Sequence, residues 1–543
     1  LNNADECKGT KDKLDELSMP KFKYDFWSAR IKNVDVALCL LIDMRMIEIP
    51  KHFPCGFSIP KANPHAVSVS LPTIADVIGY EDKLLSVMQK MQTGYPRFYT
   101  NRMVYKVRED VYGKVFLTEN FSLVPVSSVK GASLINRQMG LALEVVSVSD
   151  FDFVKVEKGS ASLAAVNKFI QNTGMNPSSR KAEDYLINHG LLPGVFVEES
   201  EASDLAESIV TKYLADAYEV LSSDDVILCN TGMNAVYTAY EAVKSVQFKK
   251  GRSRFVQLGW LYLDTIEIIK RYSNDQYFQI TSNDLDELES WLGMHHLEVA
   301  AVFTEVPNNP LIQCLDLPRL RRITQKYDIA LVIDATIATP FNMEVLEYCD
   351  IVTDSLTKYA CGHGDVMMGA IVLNAKSEIA LACGELIRSI VERPYIRDVQ
   401  RLAFTIKNYR SRVEKISANT FALLDYLKHS KIVTDIWSAL NPKFIDNFLR
   451  VRKSETAMPG LVSILFDKKL HHYYDQLRLP KGPSFGTEFT LAMPYVYLAH
   501  FDLLHTPEGR SYLESIGLKP ELLRISVGTE PIDEIIRVFE ELK

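Results

Sequence analysis

The sequence predicts an α/β fold: a mainly parallel sheet wrapped by crossover helices, followed by a smaller α+β C-terminal domain and preceded by an N-terminal extension. Three observations predict it. From about residue 205 onward, helical and strand-like stretches alternate, the pattern produced by parallel strands joined through crossover helices. β-branched runs end abruptly in single polar residues, as at Asp334 and Lys358, and ligands of such sheets gather at the carboxyl ends of the strands. The chain has 543 residues, 47% of them hydrophobic, so it can bury large cores and is too long for one ordinary domain. The expected divisions are an extension over residues 1–85, a large domain over 86–395 with an insertion at about 105–205, and a small domain over 396–543.

Composition excludes several function classes. The formal net charge of −8 comes without a long single-sign block, which disfavours nucleic-acid partners. The eight cysteines form no CxxC and scatter through apparent strands and helices, which reads as reduced thiols in a cytoplasmic protein with no metal site. No apolar run reaches the ~20 residues that span a bilayer, and the polar opening LNNADECKGTKDK differs from a secretion signal. A soluble chain without a membrane partner is expected.

Taken in order, the extension contains an apolar run, VDVALCLLIDM, that reads as a buried strand or helix. Pro50, Pro54, Pro60 and Pro64 then break regular structure, and HAVSVSLP alternates like a strand. Gly94-Tyr95-Pro96-Arg97 reads locally as a turn. In the insertion, VYGKVFLTENFSLVPVSS reads as strands and SSRKAEDYLINHGLLPG as a helix, with Ser178 or Ser179 near its cap and Gly190 near its stop. Nothing in the insertion looks catalytic; covering an entrance or extending an oligomer interface are both open to it.

The large domain proper starts with the helix ASDLAESIVTKYLADAYEVL, the strand DDVILCN, then Thr231-Gly232-Met233 and a helix from about Asn234. A glycine between strand and helix leaves backbone N–H groups free for an anion such as phosphate; many α/β proteins keep a glycine there for packing alone. The strand RFVQLG runs into Trp260-Leu261-Tyr262-Leu263-Asp264, and the strand AAVFTEV into Glu305-Val306-Pro307-Asn308-Asn309-Pro310. After the helix LPRLRRITQKYD, the strand IALVIDAT delivers Asp334. Then comes DIVTDSLTKYACGHGDVMMGAIVLN, in which Lys358 ends a β-branched run between Ser355, Thr357 and the glycines 362 and 364. Most lysines are solvated surface charges. A lysine flanked by hydroxyls inside apolar sequence suits a covalent aldehyde cofactor instead, because a Schiff-base amine must be partly desolvated to be nucleophilic at neutral pH. Beyond residue 374 the sequence turns helical to about 430, and the small domain carries PSFGTEFTL and LLRISVG.

These stretches resemble the cysteine/methionine-metabolism family of pyridoxal-phosphate enzymes, which includes cystathionine synthases and lyases, methionine lyases and homoserine sulfhydrylases. The family lysine lies in Ser-x-Thr-Lys-Tyr followed by Gly-His-x-Asp, and this chain has Ser355, Thr357, Lys358, Tyr359, Gly362, His363 and Asp365. Residues 333–340 resemble Val-Asp-Asn-Thr-x-Ala-Thr-Pro, and residues 305–310 resemble Glu-x-Pro-x-Asn-Pro. The resemblance implies a PLP-dependent transferase fold of the aspartate-aminotransferase type (fold type I), with pyridoxal 5'-phosphate joined to Lys358. Asp334 is then expected on the pyridine nitrogen with Thr336 beside it. Gly232, Met233, Ser355 and Thr357 are expected at the phosphate, and Tyr262 on the ring. Asn309, Ser484 and Arg524 are expected at the substrate carboxylate, where an arginine fork binds bidentately.

Tyr95 and Arg97 are similar to a Tyr-x-Arg pair that reaches a neighbouring subunit's phosphate site, which implies a homodimer or homotetramer with shared active sites. Three departures stand out: Leu263 and Asp264 replace the family's two glycines, Pro483 replaces a glutamate with Glu488 nearby, and Phe98-Tyr99-Thr100 replaces Asn-Pro-Thr. The extended N-terminus is most like the fungal cystathionine gamma-synthases. The function implied is therefore γ-replacement on an activated homoserine ester by cysteine, giving cystathionine. A γ-lyase, an O-acylhomoserine sulfhydrylase and a non-catalytic cofactor-binding relative are the alternatives.

Overall fold

A computed structural model describes residues 53–115, 119–281 and 283–543. The apolar run at 34–44 lies outside the described residues. The strands, in chain order, are β1 Ser58–Ile59, β2 Ser68–Val69, β3 Phe121–Val126, β4 Glu144–Val148, β5 Phe151–Glu157, β6 Val226–Cys229, β7 Arg254–Leu258 and β8 Tyr277–Ile280. They continue with β9 Val299–Glu305, β10 Ala330–Asp334, β11 Ile351–Asp354, β12 Gly369–Leu373, β13 Val433–Trp437, β14 Leu461–Phe466, β15 Leu491–Pro494 and β16 Leu523–Ser526.

Seven strands form the central sheet in the order β6-β12-β11-β10-β9-β7-β8. Neighbours from β11 through β8 run parallel, and β12 is reversed against both β11 and β6. Every residue of β9, VAAVFTE, is buried, as expected of a strand covered on both faces. The Leu317–Lys326 helix shows how the crossovers are specified. Asp316 accepts from the Arg319 amide at 3.0 Å, Pro318 sits in the first turn, and Leu317, Leu320 and Ile323 fall on the buried face. The mainly parallel α/β class read from the alternation is the one observed. The 17-residue helix Gly232–Phe248 starts two residues earlier than its sequence pattern indicates. Thr231 is its cap, accepting from the Asn234 amide, so the glycine enters the first turn.

The small sheet, β13-β14-β16-β15, is wholly antiparallel. A third sheet, β3-β5-β4, lies in the insertion. Its strands alternate by face: Val124, Val126, Val154 and Val156 join the core beneath the Gly232–Phe248 helix. Leu123, Phe151 and Phe153 face the Arg102–Lys114 and Ser179–Asn188 helices. The insertion thus shares a core with the main sheet. The Ser179–Asn188 helix is capped by Ser178 as expected. Its Arg180 is fully buried and pairs with Glu198 at 2.6 Å and Asp398 at 2.8 Å, and it donates to the Asp365 carbonyl at 2.9 Å.

Upstream of the insertion, only β2 of the alternating HAVSVSLP stretch is a strand; past it Ser70 and Leu71 bond the Phe57 and Lys481 carbonyls before the Ile74–Glu81 helix. That segment is strapped to the C-terminal half. The Leu71 amide donates to the Lys481 carbonyl at 2.9 Å, the Lys481 ammonium donates to the Pro72 carbonyl at 2.7 Å, and Ser68 Oγ donates to the Pro483 carbonyl at 2.6 Å. The strap carries Tyr95 and Arg97 to the edge of the central sheet.

Candidate active site

Five chain segments meet where the parallel strands end. Register places Asp334 beside Glu305 and Thr353 at the carboxyl ends of β10, β9 and β11, and the turns after β6, β7 and β11 deliver Gly232, Tyr262 and Lys358. A cleft of about 1510 Å³ opens there. Tyr95, Arg97, Gly232, Met233, Tyr262, Asn309, Asp334, Thr336, Ser355, Lys358, Ser484 and Arg524 line it, so the fold gathers twelve of the thirteen expected positions. The exception is Thr357. Its hydroxyl donates to the Met368 carbonyl at 3.3 Å and accepts from the Met368 amide at 3.2 Å, which ties β12 to the lysine turn and leaves Ser355 as the hydroxyl facing the cleft.

Lys358 is 7% exposed. Its Nζ donates to Tyr95 Oη at 3.3 Å and to Ser484 Oγ at 3.0 Å, with the Tyr95 and Phe485 rings 4.7 and 4.8 Å away. Burial lowers the amine from its usual range, and the nearby Arg524 and Arg97 charges act the same way while Tyr95 opposes them. Burial raises the Tyr95 phenol, but Lys358 and Arg97 together bring it below its ordinary value. Ser484 holds this contact from a left-handed backbone conformation, φ 89°, a strained geometry for a side-chain-bearing residue and one that recurs at functional sites.

Around the lysine, Asp334 keeps part of its surface open to the cleft, yet the protein walls it from bulk water and burial raises its carboxyl. The Thr336 amide donates to Oδ1 at 3.0 Å. Glu305, buried at the next strand end, accepts from the Tyr262 amide at 2.9 Å, and burial beside Asp334 pushes its carboxyl far up. Arg524 is the cation on the other wall: Nη1 donates to Asn309 Oδ1 at 3.2 Å and Nη2 to the Ser484 carbonyl at 2.6 Å, while Nε has no partner. Burial lowers this guanidinium to about 10, the expected strain of a desolvated cation awaiting an anion.

These groups fit pyridoxal phosphate. Among the described residues the first-turn N–H groups of Gly232 and Met233 have no acceptor, and they open a long helix whose dipole favours an anion. Gly232 lies so close to Ser355 that a Cβ there would stand 2.7 Å from the serine Cβ, so helix end and hydroxyl form one cradle. Asp334 presents its carboxylate to the cleft for a pyridine N–H, and Lys358 a depressed amine for the aldehyde.

Within this single chain Tyr95 and Arg97 line the cleft, their position set by the strap from residue 53 to 101; the resemblance implies that the same pair completes a partner's site. Arg97 also turns its fork toward Asp264, Tyr262 Oη and the Gln171 carbonyl, the last at 2.9 Å. Glu488 does not stand in for the glutamate replaced by Pro483: it pairs with Arg412 at 2.8 Å and lies 3.7 Å from His363, outside the cleft. Sequence reasoning missed Gln171, Phe485 and the role of Glu305. For Asp264 the departure from the glycine pair was the available signal.

Among the described residues no helix is long and apolar enough to cross a membrane, no group of three or more His, Cys, Asp or Glu has metal-site geometry, and the six described cysteines are unpaired. Residues 209–541 match the family model described as Cys/Met metabolism PLP-dependent enzyme. An L-2-amino-4-chloropent-4-enoate dechlorinase/desaturase of Streptantibioticus cattleyicolor is 39% identical, covering 88% of this chain and 96% of that protein. The cystathionine gamma-synthase of Neurospora crassa is 27% identical over 90% of this chain and 97% of its own length. In three dimensions, cystathionine gamma-lyase from Lactobacillus plantarum superposes with a TM-score of 0.53 at 20% identity, over 65% of this chain and 90% of that one. The chain therefore belongs to the Cys/Met-metabolism family of pyridoxal-phosphate-dependent enzymes, and its cofactor is pyridoxal 5'-phosphate.

Proposed function

We propose that this enzyme expels a leaving group from the γ-carbon of an L-α-amino acid. The observation that carries this reading is the pairing of one depressed amine, Lys358, with one desolvated carboxylate-binding cation, Arg524, across the same cleft. Arg524, oriented by Asn309 and the Ser484 carbonyl, binds the substrate carboxylate. When bound, the cofactor withdraws electrons from the substrate's α- and β-carbons, which makes protons there acidic. Lys358 Nζ takes the α-proton and moves protons on the same face, and Tyr95 Oη and Ser484 Oγ steady it between transfers. The Cγ–X bond breaks with its electron pair going to X, so the net loss is HX.

Two outcomes then divide the reading. Elimination without a second amino acid is favoured by the likeness to the dechlorinase/desaturase, whose name describes loss of chloride from a 4-chloro amino acid. Arg97, bound to Asp264, is also engaged and less able to receive a second carboxylate. Addition of the cysteine thiol, giving cystathionine, is favoured by the likeness to the Neurospora synthase. Assembly as a homodimer or homotetramer belongs to this reading as well, with the shared active sites that the likeness to the family implies.

The test is to supply the holoenzyme with O-acetyl-, O-succinyl- and O-phosphohomoserine and L-2-amino-4-chloropent-4-enoate, each with and without cysteine. Released X and the amino-acid products are then measured. Release of X without cysteine supports elimination, and cystathionine formed only with cysteine supports replacement. Binding without release from any of the four sinks the proposal and leaves the non-catalytic alternative standing.

A further inference from the structure

Two C-terminal elements close on the turn that follows Lys358. The run from Ser484 to Glu488 lies alongside residues 358–362: Ser484 Oγ accepts from Lys358 Nζ at 3.0 Å, a Cβ on Gly486 would stand 2.8 Å from the Tyr359 nitrogen, and the Glu488 amide donates to the Gly362 carbonyl at 2.8 Å. Arg412, on the Tyr409–His429 helix, grips the same turn. Its Nη1 donates to the Tyr359 carbonyl at 3.0 Å and the Ala360 carbonyl at 3.1 Å, Nη2 to the Thr405 carbonyl at 3.1 Å, and Nε to Glu488 Oε1 at 2.8 Å. A Cβ on Gly362, where φ is 71°, would collide with that Nε, so this approach needs a glycine.

The Arg412 side chain is 1% exposed and that of Glu488 38%. Four of the five guanidinium N–H groups are engaged, three of them on neutral carbonyls, and Glu488 supplies the one counter-charge that a buried cation requires. The carbonyls held are those of the two residues directly after the lysine. A lysine amine rides on a flexible four-carbon stem, so its address depends on what fixes the turn at its base and what meets its tip. The Ser484–Glu488 run supplies both.

We propose that Arg412 and Glu488 are positioning residues that fix the turn after Lys358, so that these two C-terminal elements set the line along which the amine meets the substrate's α-carbon. The inference rests on the reading that Lys358 moves the α-proton. It also gives Glu488 a task outside the cleft. Arg524, whose Nη2 donates to the Ser484 carbonyl, has a second hold on Asn309 Oδ1, so the expected effect falls on proton transfer rather than on capture of the carboxylate.

The test uses the full-length holoenzyme and the variants Arg412→Lys, Glu488→Ala and Glu488→Gln. L-norvaline is the probe, because it has an α-proton and no leaving group at Cγ. In heavy water the α-C–H bond breaks with its proton going to Lys358 Nζ, and a deuteron from the same nitrogen forms the new C–D bond. Three quantities are read: the rate of this exchange by proton NMR, the apparent Kd of norvaline from the cofactor's visible spectrum, and the visible circular dichroism of the cofactor without substrate. Arg412→Lys keeps the charge but loses the fork; it is expected to change the dichroism and slow exchange about 10- to 100-fold, since small misplacements of reacting groups cost that much, with Kd within about threefold. Glu488→Ala is expected to slow exchange about 10-fold. Glu488→Gln, which can still accept from Nε, should return it to within about threefold of wild type.

Unchanged exchange and dichroism with only a lower urea midpoint would show a merely structural pair and overturn the proposal. So would a Kd raised about 10-fold at unchanged exchange, which would place the pair with Arg524 instead. If Arg412→Lys does not fold, Glu488→Ala, at a partly exposed site, decides in the same way. Exchange needs no leaving group, so a failure of the γ-elimination reading leaves it interpretable; a wild type that does not exchange norvaline would refute proton transfer by Lys358, and the dichroism then decides the placement alone.

Discussion

Arg180 in the insertion and Lys358 in the cleft are cations removed almost equally from water, 0% and 7% exposed, but their surroundings differ in kind. Arg180 is saturated: Glu198, Asp398 and the Asp365 carbonyl take its fork, and nothing remains for a ligand to gain. Among the described residues Lys358 bonds two hydroxyls, those of Tyr95 and Ser484, and the carboxylates nearest its cleft, Asp334 and Glu305, are held above their usual range by burial. Burial of charge is thus used for two ends. Where valences are closed it fastens two parts of the fold together, and where they are left open it stores the binding and proton-transfer capacity of the site.

The largest break in this comparison is Lys358→Ala. It is expected to abolish the borohydride-reducible cofactor linkage and to lower turnover at least about 10³-fold; a reduced adduct at another lysine would refute the assignment. Mixing Lys358→Ala chains with Arg97→Ala chains under subunit exchange sharpens it. If the pair works only in its own chain's cleft, no site in a mixed oligomer regains both groups and activity stays absent. Recovery would show that the pair works in a partner's site.

Arg180→Met attacks the saturated side. It leaves Glu198 and Asp398 buried without their cation, which costs about 3–5 kcal/mol and is read as a fall in the urea midpoint of the holoenzyme. An unchanged midpoint would mean that the network is not a fastening. Arg524→Lys attacks the open side more gently. The charge remains and the fork is lost, so KM should rise about 10- to 100-fold with cofactor content near wild type; equal KM values would remove the carboxylate role.

Asp354→Asn has the smallest expected effect. Burial pushes this carboxyl up to about 7, against an ordinary 3.8, with Tyr218 Oη donating to it at 2.7 Å. Between those values the folded state holds a proton that the unfolded chain has lost, so ionisation destabilises the fold progressively as pH rises and fully above about pH 7. Asparagine removes that penalty and can still accept from Tyr218. A gain of about 1–2 kcal/mol at pH 8 that shrinks toward pH 5 is expected in urea unfolding. A gain independent of pH would assign the effect to packing instead.

Motif spacing made most of the cleft legible in the sequence because cofactor contacts come from strand ends and turns whose residue types are dictated locally: a glycine at a helix start, an aspartate and a lysine ending β-branched runs, an Asn-Pro turn. Thr357 lies off the cleft lining because its hydroxyl bonds the backbone of Met368, just before β12. The insertion was opaque for a different reason. Its strands and the Ser178-capped helix follow from alternation and capping, but the meeting of Gln171 with Asp264 joins side chains far apart in sequence that no local rule connects.

By itself, then, the sequence determined the α/β class, the family, the cofactor and the strand-end residues that line one cleft, since each depends on periodicity or on short spacings along the chain. The tertiary structure decided that Arg97 bonds Asp264 and Tyr262 and that Glu488 turns to Arg412. Those outcomes depend on which distant groups can satisfy a charge once water is excluded, and that competition is settled only when the segments pack.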